Sequence, residues 1–210
     1  MDEIIDIFNE NFHHIGTAAK SVVHKEGLWH QTFHCWIIRK NGDRRYILFQ
    51  KRANEKEDSP NLLDISAAGH LLAGETKELG VREIEEELGI NPLLNHMHYL
   101  GVRITAYRFN NICNYEFNHV YLLEDNTILE NFELRQNEVS GLVEIDIEEG
   151  LKLFSGQVNK IYGSFFKTKC GQPQSIRLQM EDFIPRVDQY YLRICSIADL
   201  YFDGHSCLCI

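Results

Sequence analysis

Between residues 69 and 90 the chain reads Gly-His-Leu-Leu-Ala-Gly-Glu-Thr-Lys-Glu-Leu-Gly-Val-Arg-Glu-Ile-Glu-Glu-Glu-Leu-Gly-Ile. This pattern predicts a short helix, over about Lys77–Leu88, entered through a glycine-bounded loop and stopped by Gly89 and Pro92. At ~3.6 residues per turn, Glu83, Glu86 and Glu87 stand at i, i+3 and i+4, within about 5–6 Å of one another on one face. Like charges so placed repel by roughly a few tenths of a kcal/mol per pair. None of the three has a Lys or Arg four residues downstream. A cation resolves the repulsion. Carboxylates are hard ligands suited to Mg²⁺ or Mn²⁺, and Mg²⁺ usually sits on a few of them while substrate phosphate and water complete its shell. Arg82 lies between Glu78 at i−4 and Glu86 at i+4, a guanidinium fork placed to orient the acidic face. The segment reads as a device for holding a divalent metal against a pyrophosphate; the plainer reading is a solvated acidic helix surface.

The whole segment resembles the Nudix box: Gly, five residues, Glu, seven residues, then Arg-Glu-apolar-x-Glu-Glu-x-Gly-apolar. Gly69, Glu75, Arg82, Glu83, Ile84, Glu86, Glu87, Gly89 and Ile90 fill its specified positions in order. One departure is present, six residues rather than seven between Glu75 and Arg82. In a helix a missing residue rotates what precedes it by about 100° and shifts it ~1.5 Å. The metal face is then unaffected while Glu75 is reoriented, unless Thr76 caps the helix and absorbs the loss. The resemblance implies an α/β/α sandwich with a mixed sheet, with Gly69, Glu83, Glu86 and Glu87 at the metal and Arg82 supporting them.

At 210 residues, 44% hydrophobic and 25% charged, the composition is that of an ordinary globular chain. The expectation is one domain over 1–210, with a core at about 30–155 and a C-terminal elaboration at about 156–210. A formal net charge of −10 provides no electrostatic footprint for nucleic acid or an anionic membrane. An anionic small-molecule substrate therefore needs a metal or a local basic cluster. The acidic opening Met-Asp-Glu-Ile-Ile-Asp and the lack of an apolar run of ~20 residues make a cytoplasmic chain the default. Six scattered cysteines without a Cys-x-x-Cys pair read as reduced thiols. His205, Cys207 and Cys209 would share one face of a terminal strand that buries Leu208 and Ile210.

Along the chain, hairpins are expected over 3–17, over 32–51 around Asn41-Gly42-Asp43, and over 99–123 around Asn110-Asn111. A polar loop covers 54–61 and a short strand follows at 62–66. Beyond the box come a strand at 141–145, an amphipathic helix at 147–154, strands at 161–167 and 175–180, and a helix at 187–201. In that last helix Tyr190, Tyr191, Leu192 and Ile194 need covering, either by the substrate pocket or by a second copy in a homodimer.

Upstream of the box, His30, Phe33 and Trp36 meet a His-x-x-Phe-x-x-Trp pattern similar to that of the isopentenyl-diphosphate isomerase branch. That resemblance implies a second metal or substrate position at His24, His30 and His70, and a catalytic acidic residue at Glu116. The isomerase cysteine before Gly-His corresponds here to Ala68, and a second acidic ligand to Asn114. A methyl group supplies no proton, so isomerase chemistry is disfavoured. The expectation is Mg²⁺- or Mn²⁺-dependent hydrolysis of a small-molecule diphosphate, typically a nucleoside diphosphate derivative. Glu83, Glu116 and Glu138 are candidates for the base, and Lys51 and Arg52 for phosphate contact. An isomerase and a non-catalytic ligand sensor stand as alternatives.

Overall fold

The computed structural model describes residues 2–56, 58–109, 112–167 and 171–210, with the side chains of Phe109 and Ile112 set aside. The expected Asn110-Asn111 turn and Cys170 lie outside the described residues. The strands are β1 (Ile4–Phe8), β2 (His14–Ala19), β3 (Trp29–Asn41), β4 (Arg44–Arg52), β5 (Leu63–Asp64), β6 (Ala67–His70), β7 (Met97–Phe109), β8 (Ile112–Glu124), β9 (Val139–Asp146), β10 (Ile161–Phe166) and β11 (Gln174–Leu178). The helices are α1 (Lys20–Glu26), α2 (Arg82–Leu88), α3 (Ile147–Phe154) and α4 (Tyr190–Phe202). Among the described residues no helix is long and apolar enough to cross a membrane.

Strand β3 organises the sheet. One of its edges runs parallel to β8 from Trp29↔Tyr115 to Ile38↔Glu124. The other is shared in turn by β1 (at 29–30), β6 (at 32–35) and β4 (at 38–41), all antiparallel. Beyond β4 the sheet continues through β9, β10 and β11. The result is the mixed sheet between helices that the box resemblance implies.

Side chains alternate across a strand, and β3 shows the consequence. Phe33, Cys35 and Ile37 join Leu48 under Ile84 and Leu88 of α2. Trp36 and Ile38 face the other way, with Ile47 and Phe49, under α3 and under Tyr190, Tyr191 and Ile194 of α4. The apolar stripe of α4 is therefore core, covered by the chain's own sheet.

Several local expectations are corrected. The helix of the box is shorter than 77–88: Leu79–Val81 is a 3₁₀ turn, and α2 begins only at Arg82. Gly80 sits hard against Phe33, where a Cβ would meet the ring at 2.6 Å, so packing sets this tighter turn. Thr76 makes no side-chain cap to α2. The expected glycine loop is in part strand β6, with Gly69 opposite Phe33 and His70 opposite Thr32. Helix α1 was not foreseen, because only Val23 is buried and its sequence carries no clear apolar stripe. The C-terminus forms no strand; a single bond runs from Ile210 N–H to Leu100 C=O, and Cys207 and Cys209 are exposed.

Candidate active site

A cleft of about 620 Å³ opens where the apolar face of β3 turns polar, past Trp36, at His34 and Thr32. Glu83 and Glu87, one turn apart on α2, line it beside Ala68 and Gly69 of β6. A Cβ built on Gly69 would lie 2.1 Å from the Glu83 carboxyl carbon, so only glycine leaves room for that carboxylate. Glu87 is buried, and its Oε2 accepts from Ala68 N–H at 3.0 Å and from Gln50 Nε2 at 3.2 Å. Burial raises the pKa of Glu83 to about 7 and of Glu87 to about 8, with the charge of Glu86 adding to the rise at Glu83 and that of Glu83 to the rise at Glu87. Glu86 stands apart, half-exposed between Arg82 at 3.4 Å and Arg135 at 3.5 Å.

Arg82 ties the corner together. Its Nε and Nη2 donate to the two oxygens of Glu75 at 2.8 and 3.0 Å, Nη2 also to His70 C=O at 2.9 Å, and Nη1 to Glu83 at 2.6 Å. The expected partner Glu78 is not used, because the 3₁₀ turn carries it away from the i−4 position it would hold on an α-helix. Glu75 takes that role and also accepts from Leu72 N–H at 2.8 Å. The short spacing is thus absorbed outside the α-helix. Burial works against ionising Glu75, but its bonds to Arg82 and Leu72 outweigh it and hold its pKa below the ordinary carboxylate value.

The three histidines converge beside this corner. The ring nitrogens of His24, His30 and His70 lie within 4.8 Å of one another, with His24 Nε2 3.0 Å from His70 Nε2. Each comes from a different element: α1, β3 and β6. His30 Nδ1–H donates to Leu28 C=O at 2.9 Å, leaving the Nε2 lone pair buried, without a hydrogen-bond partner, 3.9 Å from Glu116 Oε1. The parallel register of β3 and β8 makes that approach, since His30 is opposite Glu116. Burial lowers the pKa of His30 and His70, so both are neutral, the form in which imidazole ligates metals. Asn114 donates to Tyr107 Oη at 2.6 Å.

The remaining candidates separate. Arg52 and Glu138 line the cleft, Arg52 bonded to Asp58 C=O and Glu138 paired with Lys56. Lys51 lies over the Phe165 ring, 5.5 Å from its centroid, and is not among the cleft residues. Sequence reasoning missed His34, Asp64, Tyr107 and Arg186, which also line the cleft. They carry no motif, and they come from places up to 152 residues apart in the chain (34 to 186).

The profile of the NUDIX domain matches residues 28–161. An uncharacterised Nudix hydrolase of Clostridium acetobutylicum is 34% identical over 193 residues, covering 90% of this chain and 94% of that protein. An isopentenyl-diphosphate Delta-isomerase 2 of Photorhabdus laumondii is 32% identical over 124 residues, 58% of this chain and 67% of that protein. The fold is similar to a crystal structure from Deinococcus radiodurans, with a TM-score of 0.56 at 21% identity over 73% of this chain and 90% of that one. With the domain profile matching residues 28–161 and a 34% identical relative covering most of both chains, the protein belongs to the Nudix hydrolase family.

Proposed function

We propose that the chain hydrolyses the diphosphate linkage of a nucleoside diphosphate derivative or a related small molecule. Mg²⁺ or Mn²⁺ would be held by Glu83, Glu86 and Glu87 with the Gly69 carbonyl. The observation that carries this reading is the placement of Glu83 and Glu87: a part-buried and a buried carboxylate in one cleft, the first seated in space that glycine leaves open. Buried anions of this kind are costly unless a cation joins them. When bound, a divalent ion there neutralises phosphate oxygens and acidifies a water.

The chain's own groups divide the remaining work. Arg82 fixes Glu83 in position through a fork already anchored on Glu75 and His70. Glu138, on the cleft wall and partly open to solvent, takes the proton from the attacking water; Glu116 is the alternative, although it accepts from Asn118 and lies against His30. Arg52 and Lys56 face the same cleft and would neutralise phosphate oxygens.

The histidine cluster supports a second ion position, for which borderline ions that favour imidazole, such as Zn²⁺, are suited. It also favours the isomerase as the second reading. Against that reading, Ala68 offers a methyl group and an N–H already bonded to Glu87, and Cys35 is buried on the α2 side of β3. No cysteine lines the cleft among the described residues. The test is a panel of nucleoside diphosphate derivatives, dinucleotides, coenzyme A and isoprenoid diphosphates with Mg²⁺ or Mn²⁺, products resolved by chromatography. The expected result is metal-dependent cleavage of at least one phosphoanhydride; retention of every diphosphate intact overturns the reading in favour of a ligand sensor.

A further inference from the structure

Asn118 of β8 is wholly enclosed, and both ends of its amide are bonded twice. Its Oδ1 accepts from Arg103 Nη1 at 3.0 Å and from Thr105 Oγ1 at 2.6 Å. Its Nδ2 donates to Thr32 Oγ1 at 2.8 Å and to Glu116 Oε2 at 2.9 Å. Sheet register brings these groups together: Asn118 is opposite Thr32 on β3 and Arg103 on β7, and Thr105 is opposite Glu116.

The direction of this amide is forced. A guanidinium has no acceptor, so the atom that Arg103 meets is the carbonyl oxygen. Thr105 requires the same, because its hydroxyl receives Arg103 Nη1–H at 2.6 Å and keeps its own proton for Oδ1. Arg103 in turn is buried, held by both oxygens of Asp188 in the segment before α4, and lies over the Tyr190 ring, 4.1 Å from its centroid. Turning the amide over would set donor against donor at Arg103 and acceptor against acceptor at Glu116. The N–H on Glu116 is therefore fixed from the far side of the sheet interior.

The two oxygens of Glu116 are thereby unequal. Oε2 is taken by Asn118, whereas Oε1 makes no hydrogen bond among the described residues and lies 3.9 Å from His30 Nε2. That nitrogen carries a buried lone pair, since the ring proton is on Nδ1. Two acceptors this close, one of them anionic, suit a cation between them. We propose that Asn118 is a positioning residue for the ion of the histidine cluster, holding Glu116 by Oε2 so that Oε1 alone faces the ion. The inference rests on that second ion position and not on hydrolysis. It makes the segment before α4 part of what sets the ion's affinity, through Asp188 and Arg103, and it leaves Glu138 as the base.

The test is a Co²⁺ titration of the full chain, read in visible absorption, with Co²⁺ standing in for Zn²⁺. A band that disappears in His30→Gln marks the ion at the cluster. Asn118→Leu should weaken Co²⁺ binding at least about tenfold, the scale of a lost hydrogen bond to a metal ligand. In a Glu116→Gln chain, where no carboxylate is left to hold, the same substitution should weaken it no further. If the leucine variant does not fold, Asn118→Ser, too short to reach Glu116, is put through the same two titrations. Equal affinity in the parent and the Asn118 variant overturns the inference. An equal loss with and without Glu116 also overturns it, because that is the mark of a purely structural residue. A parent with no histidine-dependent band removes the second ion position and this inference with it. None of these titrations needs turnover, so a chain that cleaves nothing loses the hydrolase reading alone.

Discussion

Gly69 and Glu83 contend for one volume, and the glycine yields it. Gly69→Ala places a methyl group 2.1 Å from the Glu83 carboxyl carbon, so the carboxylate must shift from its present position. Turnover should fall at least ~100-fold, the scale of a lost electrostatic contact to the transition state, while circular dichroism shows the fold retained. Glu87 makes a second prediction with the opposite sign for stability. Its carboxylate is buried with an amide N–H and a Gln side chain as its hydrogen-bond partners. Above about pH 8, where burial no longer keeps Glu87 protonated, Glu87→Gln removes a buried anion and should raise the melting temperature of the metal-free protein, by about 1 kcal/mol or more in unfolding free energy. The same variant should lose the stabilisation that added Mg²⁺ or Mn²⁺ provides to the parent, a linkage read directly in thermal melts. A variant that is unchanged without metal and still stabilised by it would remove Glu87 from the ion site.

At the scale of elements, the C-terminal helix is as much a part of the core as the box is. Trp36, Phe49 and Ile47 pack under Tyr190, Tyr191 and Ile194, and each large side chain uncovered costs about 3–5 kcal/mol. Truncation after residue 155 should therefore give an insoluble or unfolded chain; a soluble, folded fragment 1–155 contradicts this packing. Between β7 and the start of α4, Arg103 is buried and donates to both oxygens of Asp188, at 2.6 and 2.9 Å. Burial opposes ionisation of Asp188, but the bonds and charge of Arg103 outweigh it and hold its pKa below the ordinary value. A depressed folded-state pKa contributes stability that is present above the unfolded value of ~3.9 and is lost as pH falls through the folded one. Asp188→Asn should thus be less stable than the parent at pH 7, with the gap closing below about pH 4 in urea titrations.

The same elements show what was legible in the sequence. Glu83 and Glu87 were, because a 3.6-residue period puts residues four apart on one face before any tertiary contact is known, whereas Glu86 stands outside the cleft with Arg82 and Arg135. The hairpin of β3 and β4 was, through Asn41-Gly42-Asp43. The switch of Arg82 from Glu78 to Glu75 was not, since it depends on Gly80 packing against Phe33, which no local pattern encodes. Nor was the grouping of His34, Tyr107 and Arg186, a product of sheet register and of the segment before α4.

For the whole molecule, one cleft draws on the N-terminal helix, the central strands, the box and the segment before α4. Hydrolysis and isomerisation would leave different isotopic marks in it. The chain should therefore be incubated with Mg²⁺ and the diphosphate panel in water enriched in ¹⁸O and ²H, with phosphorus products followed by ³¹P NMR and isoprenoid carbons by ¹H NMR. The expected outcome is ¹⁸O in the phosphate of a cleaved product, dependent on metal and lost in Glu87→Gln, with isopentenyl diphosphate unexchanged. Deuterium entering the isoprenoid carbons at a catalytic rate, abolished by Glu116→Gln and indifferent to Glu87→Gln, with no ¹⁸O in any phosphate, would contradict the account at its centre.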